Sequence, residues 1–217
     1  MKRRVVGLAG FLVCALLSRA AAQDPQLDPL SRLDLRYRLQ IEALIDTAHA
    51  AGLPWMAVRS MALQGVIKRI DGPKIVSVVR QYYANLVKSR DALGPLGDTE
   101  IETGASVLAA GVLPEDLALF RPTAVGRSPT IALVYLADLI SARHAVPRDD
   151  AVAAFAKLWK DGHGDSDFEG LSRNVDQDIL SGVSPKAALQ NQVRRLPARS
   201  MRPPTDQHQE NPTPKTG

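Results

Sequence analysis

The densest group of chemically capable side chains is Asp161-Gly162-His163-Gly164-Asp165-Ser166-Asp167-Phe168-Glu169, with four carboxylates and an imidazole in nine residues. Oxygen and nitrogen donors at that density suit a divalent cation, which makes His163, Asp165, Asp167 and Glu169 the candidate metal ligands. The spacing departs from a calcium-binding helix–loop–helix where that loop's geometry is strict. Ser166 stands where the sharp turn needs glycine, and Ser172 stands where a bidentate glutamate would close the shell. The same residues also read as a glycine helix stop followed by a Ser166/Glu169 capping box, which needs no metal. On that reading no metal or other cofactor is expected.

Other chemistries find less to work with. None of the four histidines has a second histidine or a glutamate at helical ligand spacing, and His49 and His144 fall near expected helix C-termini, where an imidazolium suits the dipole. No Gly-x-Ser-x-Gly elbow and no Ser-x-x-Lys pair occurs, so a serine nucleophile lacks its usual setting. Glu100/Glu102, Asp149/Asp150 and Asp176/Asp178 are paired carboxylates of the kind a glycosidase sets across a cleft, but each pair falls on an expected helix surface. No catalytic residue is assigned.

Two features point to contacts with other molecules. Trp55 follows a helix-starting proline; core packing is the default for an aromatic side chain there, and the alternative is a lobe junction or a partner surface. Lys186, Arg194, Arg195, Arg199 and Arg202 form a basic end free of acids, which can face solvent, pair with the five acids between Asp165 and Asp178, or approach an anionic polymer or lipid. Trp55, Arg194, Arg195, Arg199 and Arg202 are therefore the candidate interaction residues.

The compartment sets the context. Met1-Lys2-Arg3-Arg4 is basic, Val5 to Leu17 is apolar but too short to span a bilayer, and Ala20-Ala21-Ala22 offers a signal peptidase its small residues. Residues 1–22 are read as a signal peptide cut after Ala22, which places the protein in the periplasm or outside the cell, with no transmembrane segment after cleavage. Cys14 raises the alternative of a lipoprotein, which the bulky Val13 argues against. Cleavage removes Lys2, Arg3, Arg4 and Arg19, and with them the whole formal charge of +4. A basic pI owed to the leader is no argument for nucleic-acid binding, and none is expected. The processed chain also lacks cysteine, so its stability comes from burial rather than disulfides.

The elements that would position these residues are helices. Pro54, Pro73, Pro114, Pro129, Pro147 and Pro185 each precede an apolar-periodic stretch, as suits a residue whose fixed φ is helical and whose missing N–H costs nothing in a first turn. Ser128 and Ser184 offer N-cap hydroxyls, and Thr99/Glu102 joins Ser166/Glu169 as a second capping box. Leu30, Leu33, Tyr37, Ile41, Leu44 and Ala48 recur at helical spacing. The pattern predicts helices over residues 31–51, 54–70, 73–92, 99–110, 114–120, 129–144, 147–160, 166–181 and 185–195. The expected fold is all-α, an irregular array or bundle of about nine helices in antiparallel hairpins. Prolines at uneven intervals exclude a strict solenoid repeat.

After the signal, residues 23–30 should be an extended leader. Gly94-Pro95-Leu96-Gly97 divides a three-helix lobe, residues 31–93, from a six-helix lobe, residues 98–196. Residues 197–217, rich in proline and polar side chains, should be a disordered tail.

Within residues 52–90, Leu63-Gln64-Gly65, Lys68, Gly72-Pro73-Lys74-Ile75-Val76 and Val79-Arg80 resemble a pattern in uncharacterised exported helical proteins of bacteria. That pattern runs Leu-Glu-Gly, lysine, a Gly or Pro turn, then Arg-Ile-Val. Gln64 replaces its acid and Arg69 a glycine. The resemblance implies an exported helical protein and carries no activity with it.

The expectation is a non-enzymatic interaction or scaffold module of the bacterial cell envelope, contacting an envelope protein or an anionic envelope component. The alternatives are an envelope hydrolase using paired carboxylates, or a small-molecule or metal carrier.

Overall fold

The computed structural model describes residues 28–122 and 126–196. The expected signal peptide, most of the leader, and the proline-rich tail with Arg199 and Arg202 lie outside the described residues. Among the described residues every regular element is helical. The order is α1 (Leu35–Ala50), α2 (Trp55–Ile67), α3 (Gly72–Leu93), α4 (Asp98–Ala109), α5 (Pro114–Leu117), α6 (Thr130–Ile140), α7 (Arg148–Lys160), α8 (Asp165–Leu180) and α9 (Pro185–Arg195), with 3-10 turns at Pro29–Arg32 and Ala118–Phe120. No helix among them is long and apolar enough to cross a membrane.

The prolines stand where their chemistry places them. Pro54, Pro129 and Pro147 are N-cap residues, while Pro73, Pro114 and Pro185 lie at the first or second helical position. The helix stops follow one geometry. After α1, Gly52 takes a φ of 63°, its N–H donates to His49 and that of Leu53 donates to Ala48 at 2.9 Å, closing the last carbonyls of the helix. Gly111-Val112, Gly162-His163 and Gly182-Val183 repeat this pair of bonds, and Arg69-Ile70 does so without a glycine, at a φ of 55°.

Several boundaries differ from those the pattern predicts. The first stripe does not belong to one helix: Asp28 accepts from the Leu30 N–H, Pro29–Arg32 closes as a 3-10 turn, and the extended Leu33 and Asp34 separate it from α1. Leu30 is consequently not leader but core, 2% exposed. α6 stops at Ile140 rather than 144, because Ser141 turns extended and the His144 ring takes the carbonyl of Asp138 at 3.0 Å. The caps of α4 and α8 also stand two residues earlier than predicted. Gly97 caps α4 in place of Thr99, and in α8 it is Asp167, not Glu169, that reaches back to the cap, accepting from the Gly164 N–H at 3.2 Å.

Two apolar clusters fill the interior. One gathers Leu30, Ile41, Val58, Val79 and Leu86 with Ile101 and Ala105 of α4, and the other gathers Phe120, Leu133, Leu136, Phe155, Phe168 and Leu189 with Leu93 of α3 and Val107 of α4. α4 thus feeds both, and the Gly94–Gly97 connection joins two helices that pack closely on each other. Their approach is tight because Gly104 has no side chain: a Cβ there would overlap Ser89 Oγ and come within 2.9 Å of Leu93. In the second cluster α6 packs on α4, α7 and α8, and α9 closes against α8.

Candidate functional site

The acid-rich turn between α7 and α8 is organised as a turn anchor. His163 follows the left-handed Gly162 in the slot that Leu53, Val112 and Val183 occupy in the other turns, so it is driven inward to 3% exposure. Its Nδ1 meets Asp167 Oδ2 at 3.0 Å, and its carbonyl accepts from Arg127 at 2.9 Å. The Arg127 guanidinium lies 3.5 Å from the centroid of the Trp159 ring, a cation–π contact in which burial holds that guanidinium below its ordinary pKa. Of the four candidate ligands, the structure joins His163 to Asp167. Asp165 opens α8 at the exposed surface, and Glu169 pairs with Arg173 on the outer face. Among the described residues no three His, Cys, Asp or Glu side chains converge as a metal would require.

His144 is set still more firmly. With Nδ1 on the Asp138 carbonyl, which only accepts, the ring presents Nε2 to Asp176 Oδ1 at 2.9 Å. It ties the α6–α7 turn to α8, with Arg143 3.8 Å from the same carboxylate. The other paired acids have similar local duties. Glu100 accepts from Ser128, Asp149 pairs with Arg148, Asp150 with Lys186 at 3.1 Å, and Asp178 accepts from Gln192. Trp55 is half-buried, edge-on to His49 with ring centroids 5.4 Å apart.

A groove of about 520 Å³ lies between α8 and α9. α8 builds most of it because two stripes run along that helix. Phe168, Leu171 and Val175 turn inward, while Asp167, Gly170, Asn174, Gln177, Asp178 and Ser181 recur at helical spacing along the groove. α9 supplies Gln192 and Arg195 from the other side, and Leu196 follows. The Gln192 amide donates to Asp178 Oδ2 at 2.7 Å and fixes the two walls relative to each other. Arg195 is thus placed at the groove. Arg194 lies on the far side of α9, along a smaller cleft of about 370 Å³ with Ala154, Leu189 and Val193.

Gly170 is the unusual residue in the groove. Glycine inside a helix costs about 0.5–1 kcal/mol relative to alanine. At the two buried interior glycines packing explains it: a Cβ on Gly65 would stand 2.8 Å from Ile75, and one on Gly104 would overlap Ser89, whereas Gly170 is half-buried. A Cβ on Gly170 would meet nothing within 4 Å. Neither Gly170 nor the groove figured among the candidates drawn from sequence, although a polar stripe flanking the apolar one, interrupted by glycine, is legible in residues 167–181.

No family model matches the chain, and no curated protein or solved structure compared with it matches either.

Proposed function

We propose that the protein is a non-catalytic binding module of the bacterial cell envelope, exported by its N-terminal signal and contacting another envelope component through the α8–α9 groove. The observation that carries this reading is the groove itself, about 520 Å³, walled by hydrogen-bonding side chains of two helices with Arg195 at one end. That size falls in the range of ligand sites, though the walls are more polar than is usual for them, which suits a polar ligand.

The groove's chemistry supports holding rather than cutting. Its two carboxylates, Asp167 and Asp178, are eleven residues apart on one helix, about 16 Å along the axis. A glycosidase pair works at roughly 5–9.5 Å. Asp167 is engaged with His163 and the α8 cap, and Asp178 with Gln192.

Co-sedimentation of purified processed protein with isolated envelope fractions tests the reading. Gly170→Trp places an indole in the groove from a position whose Cβ meets nothing within 4 Å among the described residues. Wild type should sediment with one fraction and Gly170→Trp should not. Equal sedimentation of the two, or no sedimentation of either, overturns the reading.

A further inference from the structure

We infer that the ligand of the α8–α9 groove is a neutral, hydroxyl-rich saccharide whose ring lies against the bare backbone of α8 at Gly170. The inference rests on the groove being the binding surface and adds the chemistry of what occupies it.

The argument starts from the walls. Asn174, Gln177 and Gln192 carry carboxamides, and Ser166 and Ser181 hydroxyls, groups that each both donate and accept. Gln192 donates to Asp178 and Ser181 to the Gln177 carbonyl, which leaves Ser166, Asn174 and Gln177 to face a ligand with both capacities. A ligand made of hydroxyls has the same dual character. An anionic ligand, which only accepts, would leave the acceptors of those amides unused and face Asp167 and Asp178. A cationic one, which only donates, would face Arg195. Charges of both signs beside side chains of dual character favour a neutral polyol over either ion.

The floor supplies the second observation. The half-buried Leu196 gives it a small apolar area, which suits the C–H face of a sugar ring, above the buried Leu171. Between the polar walls Gly170 removes a side chain within a sixteen-residue helix, and among the described residues no atom comes within 4 Å of where its Cβ would stand. Elsewhere in this fold an interior glycine marks close approach of a neighbour, Ile75 at Gly65 and Ser89 at Gly104. Glycine is the residue that lets a ligand reach the backbone. At Gly170 the approaching neighbour is therefore assigned to the ligand.

The test is an amide-proton NMR titration of the isotopically labelled processed protein with a soluble neutral trisaccharide of N-acetylglucosamine, beside a trialanine peptide and a sulfated disaccharide. The inference expects shifts confined to residues 166–181 and 192–196, saturating with the trisaccharide and not with the other two. Gly170→Trp should weaken the saccharide at least tenfold with its thermal midpoint unchanged or raised, while Gly170→Ala, folded and smaller, weakens it less. Binding by the peptide or the sulfated sugar instead, or equal saccharide affinity in Gly170→Trp, overturns the inference. Should the trisaccharide leave the spectrum unchanged while Gly170→Trp still abolishes sedimentation with envelope, the saccharide assignment falls and the groove stands. If the substitution leaves sedimentation intact, both fall.

Discussion

The side-chain amide of Gln192 donates to the carboxylate of Asp178 at 2.7 Å, joining α9 to α8 where the two helices wall the groove. Gln192 is 5% exposed and Asp178 partly buried, so the bond is shielded but not dry. Hydrogen bonds to a charged group contribute roughly 1.5–3 kcal/mol. Replacing Gln192 with leucine keeps the volume and removes the donor, and we expect a loss of about 1–2 kcal/mol in urea unfolding. An unchanged midpoint would mean that the bond does not hold the walls.

The α3–α4 crossing should respond sharply to volume. Ser89 Oγ donates to the Ile101 carbonyl at 2.8 Å and fills the space a Cβ on Gly104 would need. Gly104→Ala should cost about 1–3 kcal/mol through overpacking, despite the better helix propensity of alanine. Combining it with Ser89→Gly should cost less than the two separate losses added together, because the second change vacates the contested space. Strict additivity in the double-mutant cycle would count against direct contact.

Glu102 carries a pH dependence whose sign is fixed. Burial first, and the Asp98 charge second, raise its carboxyl above the ordinary range. A raised carboxyl binds its proton more tightly when folded. It therefore costs no stability below its unfolded value of about 4.3, and the cost grows as pH rises from there through the folded value. Partial exposure keeps the cost to a few tenths of a kcal/mol. Glu102→Gln should be slightly more stable than wild type at pH 7 and equal to it at pH 3, by urea midpoints. The neighbouring Tyr82 phenol, pushed up to about 12 chiefly by burial and in lesser part by Glu102, should ionise a little lower in that variant when followed by ultraviolet absorbance.

Arg69 and Ala145 hold left-handed backbone at φ of 55° and 52°. Glycine occupies the equivalent position after α1, α4, α7 and α8, and non-glycine residues in this conformation cost about 1–2 kcal/mol. Each substitution to glycine should raise stability by up to about 1 kcal/mol, less whatever the freer unfolded chain takes back. A fall in the thermal midpoint of Arg69→Gly would show that its side chain compensates for the strain.

Much of the fold was legible because prolines and glycines act locally. Pro114 and Pro185 open helices and Gly52, Gly111 and Gly182 close them through their own φ, whatever surrounds them. What failed to read was decided by tertiary contacts. The stripe through Leu30 and Leu33 keeps helical spacing across a break, since core burial constrains spacing and not continuity. α6 ends early because His144, held by Asp176 on α8, takes a carbonyl that the local sequence would give to the helix. The acidic turn drew notice through its composition, yet the φ of Gly162 turns its histidine inward to Asp167. The groove went unread because its second wall, Gln192 and Arg195, comes from α9, whose register against α8 is set by the Gln192–Asp178 bond and by the burial of Ala188 and Leu189.

The central claim, that the α8–α9 groove is the surface by which the protein holds its envelope partner, is tested most directly by photo-crosslinking in intact cells. A benzophenone side chain placed at Asn174, within the groove, is compared with one at Lys74, exposed at the start of α3 on the far core cluster. The account predicts adducts from position 174, lost when Gly170→Trp is added, and none from position 74. Adducts from position 74 alone, or from position 174 undiminished by Gly170→Trp, would contradict it.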